Sequence, residues 1–216
     1  MASSIQKVRQ GEAAFERDGV AFQREEYDYG VVCALLYIAA HEGRLNMLDF
    51  GGSLGSTYFQ NRKLLTGLPL EWHVVEQKIF VRYGKKNVPE VEFHEKAEEC
   101  IGKGINCVLI SSSLQYVDEP YRYLDTLLSM QAKYLILARM PFGFEKRNRI
   151  VLEYVPESIY KAVYPAWLLD GKQVLDEIGQ CYMPIFPLPN LIDRLPLVEG
   201  QTARIVPYYG WLFVRK

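Results

Sequence analysis

Leu48-Asp49-Phe50-Gly51-Gly52-Ser53-Leu54-Gly55 is the stretch on which the reading of this chain turns. The apolar run from Leu45 to Phe50 has the length of a buried strand. The glycines after it make a turn, and a helical pattern follows from Leu54 to about Leu65. Glycine lets backbone approach a ligand closely and leaves N–H groups at the helix start free to bind it. Such a turn serves a dinucleotide pyrophosphate or S-adenosylmethionine equally well. Asp49 discriminates between them, because a carboxylate two positions before the first glycine opposes a pyrophosphate and suits a cationic amino-acid group. A second acid, Glu76, ends Trp72-His73-Val74-Val75-Glu76, 21 residues past Gly55. A carboxylate at the tip of the next strand suits a ribose diol, which both cofactors carry.

Outward from this core, strand-like runs alternate with helical ones. Strand candidates are Glu71 to Glu76, Glu90 to Phe93, Asn106 to Ser111 and Tyr134 to Arg139. Helices are expected around Ile79 to Tyr83 and from Glu119 to Gln131. This alternation predicts βαβ units, a mainly parallel sheet with both faces covered, and an α/β class. In such sheets ligands sit outside the carboxyl ends of the strands. Ahead of the core, residues 4 to 24 suggest an outer amphipathic helix, and Asp28 to Ala40 a strongly apolar one stopped near Gly43. Residues 1–44 are thus expected to be helices packed on a core domain spanning 45–216. After Arg139 comes a proline-bearing stretch, 140–168, with a strand candidate from Ile150 to Val155, read as a lid-like insert. A helix from Asp170 to Gly179 and two final strands, Tyr182 to Leu188 and Tyr208 to Arg215, predict antiparallel closure at one sheet edge.

Composition excludes several classes. Of 216 residues, 49% are hydrophobic and 24% charged, which is ordinary for a folded globular chain. The 25 Lys and Arg balance 26 Asp and Glu, so no global field favours nucleic acid or an anionic membrane. The longest apolar run, Val31 to Ala40, is about half of the ~20 residues that span a bilayer. The N-terminus lacks the apolar core of a secretory signal, so a cytoplasmic location is expected. Cys33, Cys100, Cys107 and Cys181 are widely spaced, with no CxxC pair and no histidine at metal-ligand spacing. They read as reduced, packed thiols, and no metal is expected. The surplus is aromatic: 15 Tyr, 10 Phe and 3 Trp make 13% of the chain.

With Asp49, Gly51, Ser53, Gly55 and Glu76 in place, the chain resembles the class I S-adenosylmethionine-dependent methyltransferases: an acid, a glycine-rich turn after the first strand, and an acid after the second. Ser53 stands where the middle glycine is usual. LDFGGSLGSTYF, WHVVEQ, SSSLQYVDEP and YPAW further resemble a bacterial methyltransferase-like family associated with surface-polysaccharide gene clusters, over roughly residues 27 to 214. The resemblance implies a Rossmann-like, seven-stranded sheet whose last strand is antiparallel, with S-adenosylmethionine as cofactor. It implies that Asp49, Gly51, Gly52 and Gly55 face the methionine part, Glu76 the ribose and Gln77 the adenosine edge. It further implies that His94 approaches adenine and that Ser111 to Tyr116, with Ser112, Ser113 and Leu114, line the transfer site. Cys107 replaces a common Asp, and Gln115 and Tyr116 stand where a His is frequent, which argues against a histidine-assisted mechanism.

Methyl transfer to a hydroxyl needs an aligned acceptor and a route for its proton. Tyr116 as a positioning group and Asp118 as a proton acceptor through water are the candidates. Arg139, directly after a strand, suits an acidic acceptor. Tyr160, Tyr164 and Trp167 offer aromatic faces to a sugar ring. The expected function is methylation of a small acceptor, such as a sugar or sugar-nucleotide hydroxyl in polysaccharide biosynthesis. The competing readings are a non-catalytic nucleoside-binding or scaffold module of the same fold and an NAD-dependent oxidoreductase, the latter opposed by Asp49.

Overall fold

The computed structural model describes residues 2–17, 19–155, 161–189, 194–199 and 201–216. In chain order the elements are α1 (Ala2–Gln10), β1 (Phe15–Arg17), β2 (Val20–Phe22), α2 (Tyr29–Glu42), β3 (Leu45–Phe50), α3 (Ser56–Asn61), β4 (Leu70–Val75), α4 (Lys78–Asn87), β5 (Glu92–His94), β6 (Cys107–Ser111), α5 (Pro120–Ser129), β7 (Tyr134–Gly143), β8 (Arg149–Val155), β9 (Ala162–Asp170), α6 (Gly171–Cys181), β10 (Tyr182–Pro187), β11 (Arg194–Glu199) and β12 (Thr202–Arg215). Short 3-10 turns, Ala97–Cys100 and Leu114–Tyr116, follow β5 and β6.

The sheet runs β10-β12-β7-β6-β3-β4-β5. All six residues of β3 are buried, as expected of a central strand covered on both faces. Leu45 and Met47 join one core with Trp72, Val74 and α2, while Leu48 and Phe50 join the opposite core with Val108, Ile110 and α5. β3 pairs in parallel with β4 on one side and β6 on the other, so the chain reverses its direction of travel across the sheet at β3. That switch point opens a crevice at the tips of β3 and β6.

The α/β class and the helices on both faces follow the alternation in the sequence, but three details differ. β12 is antiparallel and lies inside the sheet, between β7 and the edge strand β10, rather than at the edge. Seven strands form the main path, and β8, β9 and β11 extend the sheet to ten. Within the stretch 140–168, read as a lid-like insert, the described residues form strands: β7 runs on to Gly143, β9 pairs in parallel with its end, and β8 pairs antiparallel with β9. A second ribbon, β11 with the first half of β12, packs on it through Leu168, Leu197 and Val206.

At the N-terminus, the helix expected over 4–24 is a short helix and a hairpin. Gly11 and Gly19 both take positive φ, and Phe15 stacks on Phe22 with centroids 4.7 Å apart. Buried Glu16 accepts hydrogen bonds from Gly19 N and from Ser56 Oγ, tying this segment to the start of α3. α2 behaves as its pattern predicts, with Asp28 accepting from Val31 N at 3.2 Å and Gly43 ending the helix. Cys100 and Cys107 are buried free thiols. Cys33 and Cys181 are exposed, because each sits on the outward side of its helix rather than in a core.

Candidate active site

The crevice is built first by glycine. Gly51 has φ 74°, and a Cβ there would lie 2.5 Å from Ser113 Cβ, so only glycine lets the β3 turn meet the turn after β6. A Cβ on Gly52 would lie 2.5 Å from Asp49 Cγ, so the second glycine seats directly over the carboxylate. Asp49 is 2% exposed and accepts from Trp72 Nε1 at 3.1 Å. Burial pushes its pKa up to about 7; the Trp72 hydrogen bond opposes the rise and the charge of Glu76 adds to it. A buried acid poised near neutrality favours a cationic partner, which would restore its charge.

Glu76, at the tip of β4, bridges the same turn. Its Oε1 accepts from Ser53 N at 3.3 Å and its Oε2 from Gln77 N at 2.7 Å. Burial raises its pKa, and these two backbone donors offset part of the rise. Exposed Gln77 stands at the N-cap position of α4 and makes no side-chain cap bond. Gly55, with φ 89°, precedes the first turn of α3. His94, read as an adenine contact, has its ring committed elsewhere: Nε2 lies 3.1 Å from His73 Nδ1 on the sheet face. Its carbonyl, rather than its ring, reaches this site, accepting from Glu76 N at 3.0 Å.

Opposite lies the turn after β6. Ser112 has φ 51°, its N–H donates to Ala138 O at 3.1 Å, and its hydroxyl accepts from Gln115 Nε2 at 2.9 Å. Ser113 and Gln115 are buried, and Ser113 Oγ and Gln115 Oε1 lack a hydrogen-bond partner. Leu114 packs below them in the core. Buried polar atoms without a protein partner are completed by water or by a polar ligand. Asp118, by contrast, is exposed, and its carboxylate accepts from its neighbour Glu119 N at 3.0 Å.

The ribbon closes over this turn. Tyr116 donates its hydroxyl to Glu153 Oε2 at 2.9 Å, meets the edge of Tyr164 at 5.6 Å, and Trp167 Nε1 donates to Val117 O at 3.0 Å. Although the residue is 43% exposed, enclosure of its hydroxyl under the ribbon and the Glu153 charge hold the Tyr116 phenol above its usual pKa, so it is a neutral donor. Arg139 has φ 53° at a bulge where Tyr209 pairs with Met140 but Trp211 with Leu137. A bulge of this kind re-aims a side chain beside a site. Ser53 and Ser112, just after β3 and β6, and Arg139, which lies inside β7 rather than directly after a strand as expected, are three of the five non-glycine residues with positive φ among the described residues, and backbone strain of this kind concentrates at functional sites. Tyr160 lies outside the described residues. Tyr209 and Trp211 stack in parallel at 6.0 Å and serve to close β12 onto β7.

Sequence reasoning missed Trp72 and Glu153. Trp72 was legible in principle, since in parallel register it sits level with Met47, on the face that Asp49 shares. Glu153 was not, because its partner is 37 residues away across a ribbon.

No protein-family model and no curated protein matches the sequence. In solved structures the fold is similar to that of the glycopeptide N-methyltransferase MtfA complexed with sinefungin: TM-score 0.53, 15% identity, covering 87% of this chain and 94% of that one. It is similar to the N-terminal domain of EvdMO1, determined in the presence of SAH and D-fucose: TM-score 0.56, 14% identity, covering 98% and 95%. It also resembles the PH0226 protein from Pyrococcus horikoshii OT3: TM-score 0.53, 12% identity, covering 84% and 87%. The chain therefore has the architecture found in S-adenosylmethionine-dependent methyltransferases.

Proposed function

We propose that this protein is an S-adenosylmethionine-dependent methyltransferase acting on a small acceptor, a sugar or sugar-nucleotide hydroxyl. The observation that carries the reading is the pair of acids, Asp49 and Glu76, on either side of a turn kept open by Gly51 and Gly52 at the switch point of the sheet. Support comes from the fold likeness to proteins crystallised with sinefungin, or with SAH and D-fucose.

The residues fit the cofactor. Asp49 matches a cationic amino-acid group, the Gly51, Gly52 and Gly55 turn gives backbone access, and Ser112 to Leu114 form the facing wall. Glu76 accepts from ribose hydroxyls, and Gln77 borders the nucleoside. When bound, the sulfonium supplies an electrophilic methyl group. The protein's work is then to align the acceptor and exclude water. Tyr164 and Trp167 offer apolar faces for a ring, Arg139 a charge for an acidic group, and Tyr116 a hydroxyl held by Glu153. Because Tyr116 is a neutral phenol, it orients the acceptor, and the Glu153 carboxylate beside it takes up the acceptor proton as the oxygen–methyl bond forms. This assignment replaces Asp118, which is turned back on its own backbone at the protein surface.

Calorimetric titration with S-adenosylhomocysteine tests the cofactor. Binding that weakens in Asp49→Ala and Glu76→Ala supports the reading, and no binding by the intact protein refutes it. The exposed position of Asp118 keeps a second reading in view, a nucleoside-binding module without turnover. A methyl-transfer screen over sugars and sugar nucleotides separates the two, since any methylated product excludes the second. Among the described residues no helix is long and apolar enough to cross a membrane.

A further inference from the structure

Away from the crevice, on the face of the sheet shared by Val75 and Ala97, His73, His94 and Cys100 bring three ligand atoms within 4.8 Å of one another, all from buried residues. Nothing in the linear spacing shows this. The residues come from β4, β5 and the 3-10 turn after it, and the parallel register places His94 level with Val75, two residues beyond His73.

The histidine and Glu92 separations approach the dimensions of a coordination shell, and Cys100 Sγ stands within 4.8 Å of the nitrogens. Ligands about 2.0 to 2.3 Å from a tetrahedral cation lie roughly 3.3 to 3.7 Å apart. His73 Nδ1 is 3.1 Å from His94 Nε2, and Glu92 Oε2 is 3.3 Å from the first and 3.8 Å from the second. The far nitrogens of both rings also face carboxylates. Glu99 Oε2 lies 3.6 Å from His94 Nδ1, and Glu71 Oε2 lies 4.0 Å from His73 Nε2, a buried atom with no hydrogen-bond partner. In metal-binding histidines a carboxylate hydrogen-bonded to the far nitrogen fixes the ring, and Glu99 and Glu71 stand just outside that distance.

We propose that His73 Nδ1, His94 Nε2 and Cys100 Sγ bind a divalent transition-metal ion of the zinc class, with Glu92 in the fourth position. Two imidazoles and a thiol select a borderline-soft ion over magnesium or calcium. On binding, the thiol proton passes to solvent as the metal–sulfur bond forms. Lys103 Nζ, now 3.1 Å from Glu92 Oε2, gives up that contact. The ion ties β4, β5 and the 3-10 turn together below Glu76, whose N–H rests on the carbonyl of His94.

Chelator-treated protein titrated with Co²⁺ and followed by absorption tests this. The expected result is saturation at one equivalent, with the d–d bands of a tetrahedral ion and a thiolate-to-cobalt charge-transfer band. Cys100→Ser removes the charge-transfer band, and His94→Gln weakens binding by more than the roughly 10- to 100-fold typical of outer-shell changes. Lys103→Ala, a surface change that leaves the fold intact, frees Glu92 and tightens binding. Zn²⁺ should raise the thermal midpoint of the wild-type protein but not of Cys100→Ser. A titration that does not saturate, or one that saturates identically in Cys100→Ser and His94→Gln, overturns the site and leaves a structural histidine pair.

Discussion

The two sides of the crevice are made by different physics. The side formed by β3 and β4 is parallel sheet buried on both faces, and its site residues lie within one strand–turn–helix unit and the strand beside it. The side formed by Tyr116 and the ribbons is antiparallel, stands on the small cluster of Leu168, Leu197 and Val206, and carries exposed Ile150, Leu152 and Tyr154 on its outer surface. The first holds its acids against a large desolvation penalty and so must be rigid. The second holds its aromatics by single hydrogen bonds and ring contacts, which suits recognition of a variable acceptor. The proposed function thus puts the cofactor where packing is densest and the acceptor where packing is locally replaceable.

The sharpest way to break this contrast is Gly51→Val. A branched side chain at φ 74°, driven into Ser113, costs about 3 kcal/mol or more, and chemical denaturation together with lost S-adenosylhomocysteine binding would show it. Next is Glu76→Ala, which under the proposed function takes away the carboxylate that accepts from the ribose hydroxyls. Affinity should fall about 10- to 100-fold with the circular dichroism unchanged.

The third test is pH. Asp49 keeps its proton up to about 7 in the folded state but releases it near 3.8 when unfolded, so the ligand-free fold binds more protons across that interval. Its stability therefore declines as pH rises from about 4 to about 7, and flattens above. Affinity for a ligand bearing an ammonium group runs the other way, rising about tenfold between about pH 6 and pH 8 as Asp49 ionises. Asp49→Asn should abolish both trends in denaturation and calorimetric series. The smallest effect is expected on the ribbon side: Tyr116→Phe removes one hydrogen bond to Glu153, worth about 1 kcal/mol. It should lower kcat/KM for the acceptor several-fold and leave cofactor affinity unchanged. A loss of cofactor binding in Tyr116→Phe would erase the distinction between the two sides.

How legible each side was follows the same division. The β3 turn, α2 with its Asp28 cap, and Glu76 at a strand tip all rest on contacts close in sequence or on a repeated period, and their elements stand where the pattern puts them. The strand pairing within 140–168 was illegible because β9 pairs both with β8 and with the end of β7, and neither register leaves a mark in the apolar pattern. Helix was expected near Phe15 because its charged, mixed pattern does not separate a helix from a hairpin.

By itself the sequence determined that this is an α/β protein with a glycine turn between two acids, because strand length, glycine freedom and charge are local properties. Only the tertiary structure decided that β12 lies inside the sheet, that Trp72 holds Asp49, that Glu153 holds Tyr116, and that His73, His94 and Cys100 share one face. Each of these depends on strand register and order, which set the distance between residues far apart in the chain and leave no mark in either one's neighbourhood.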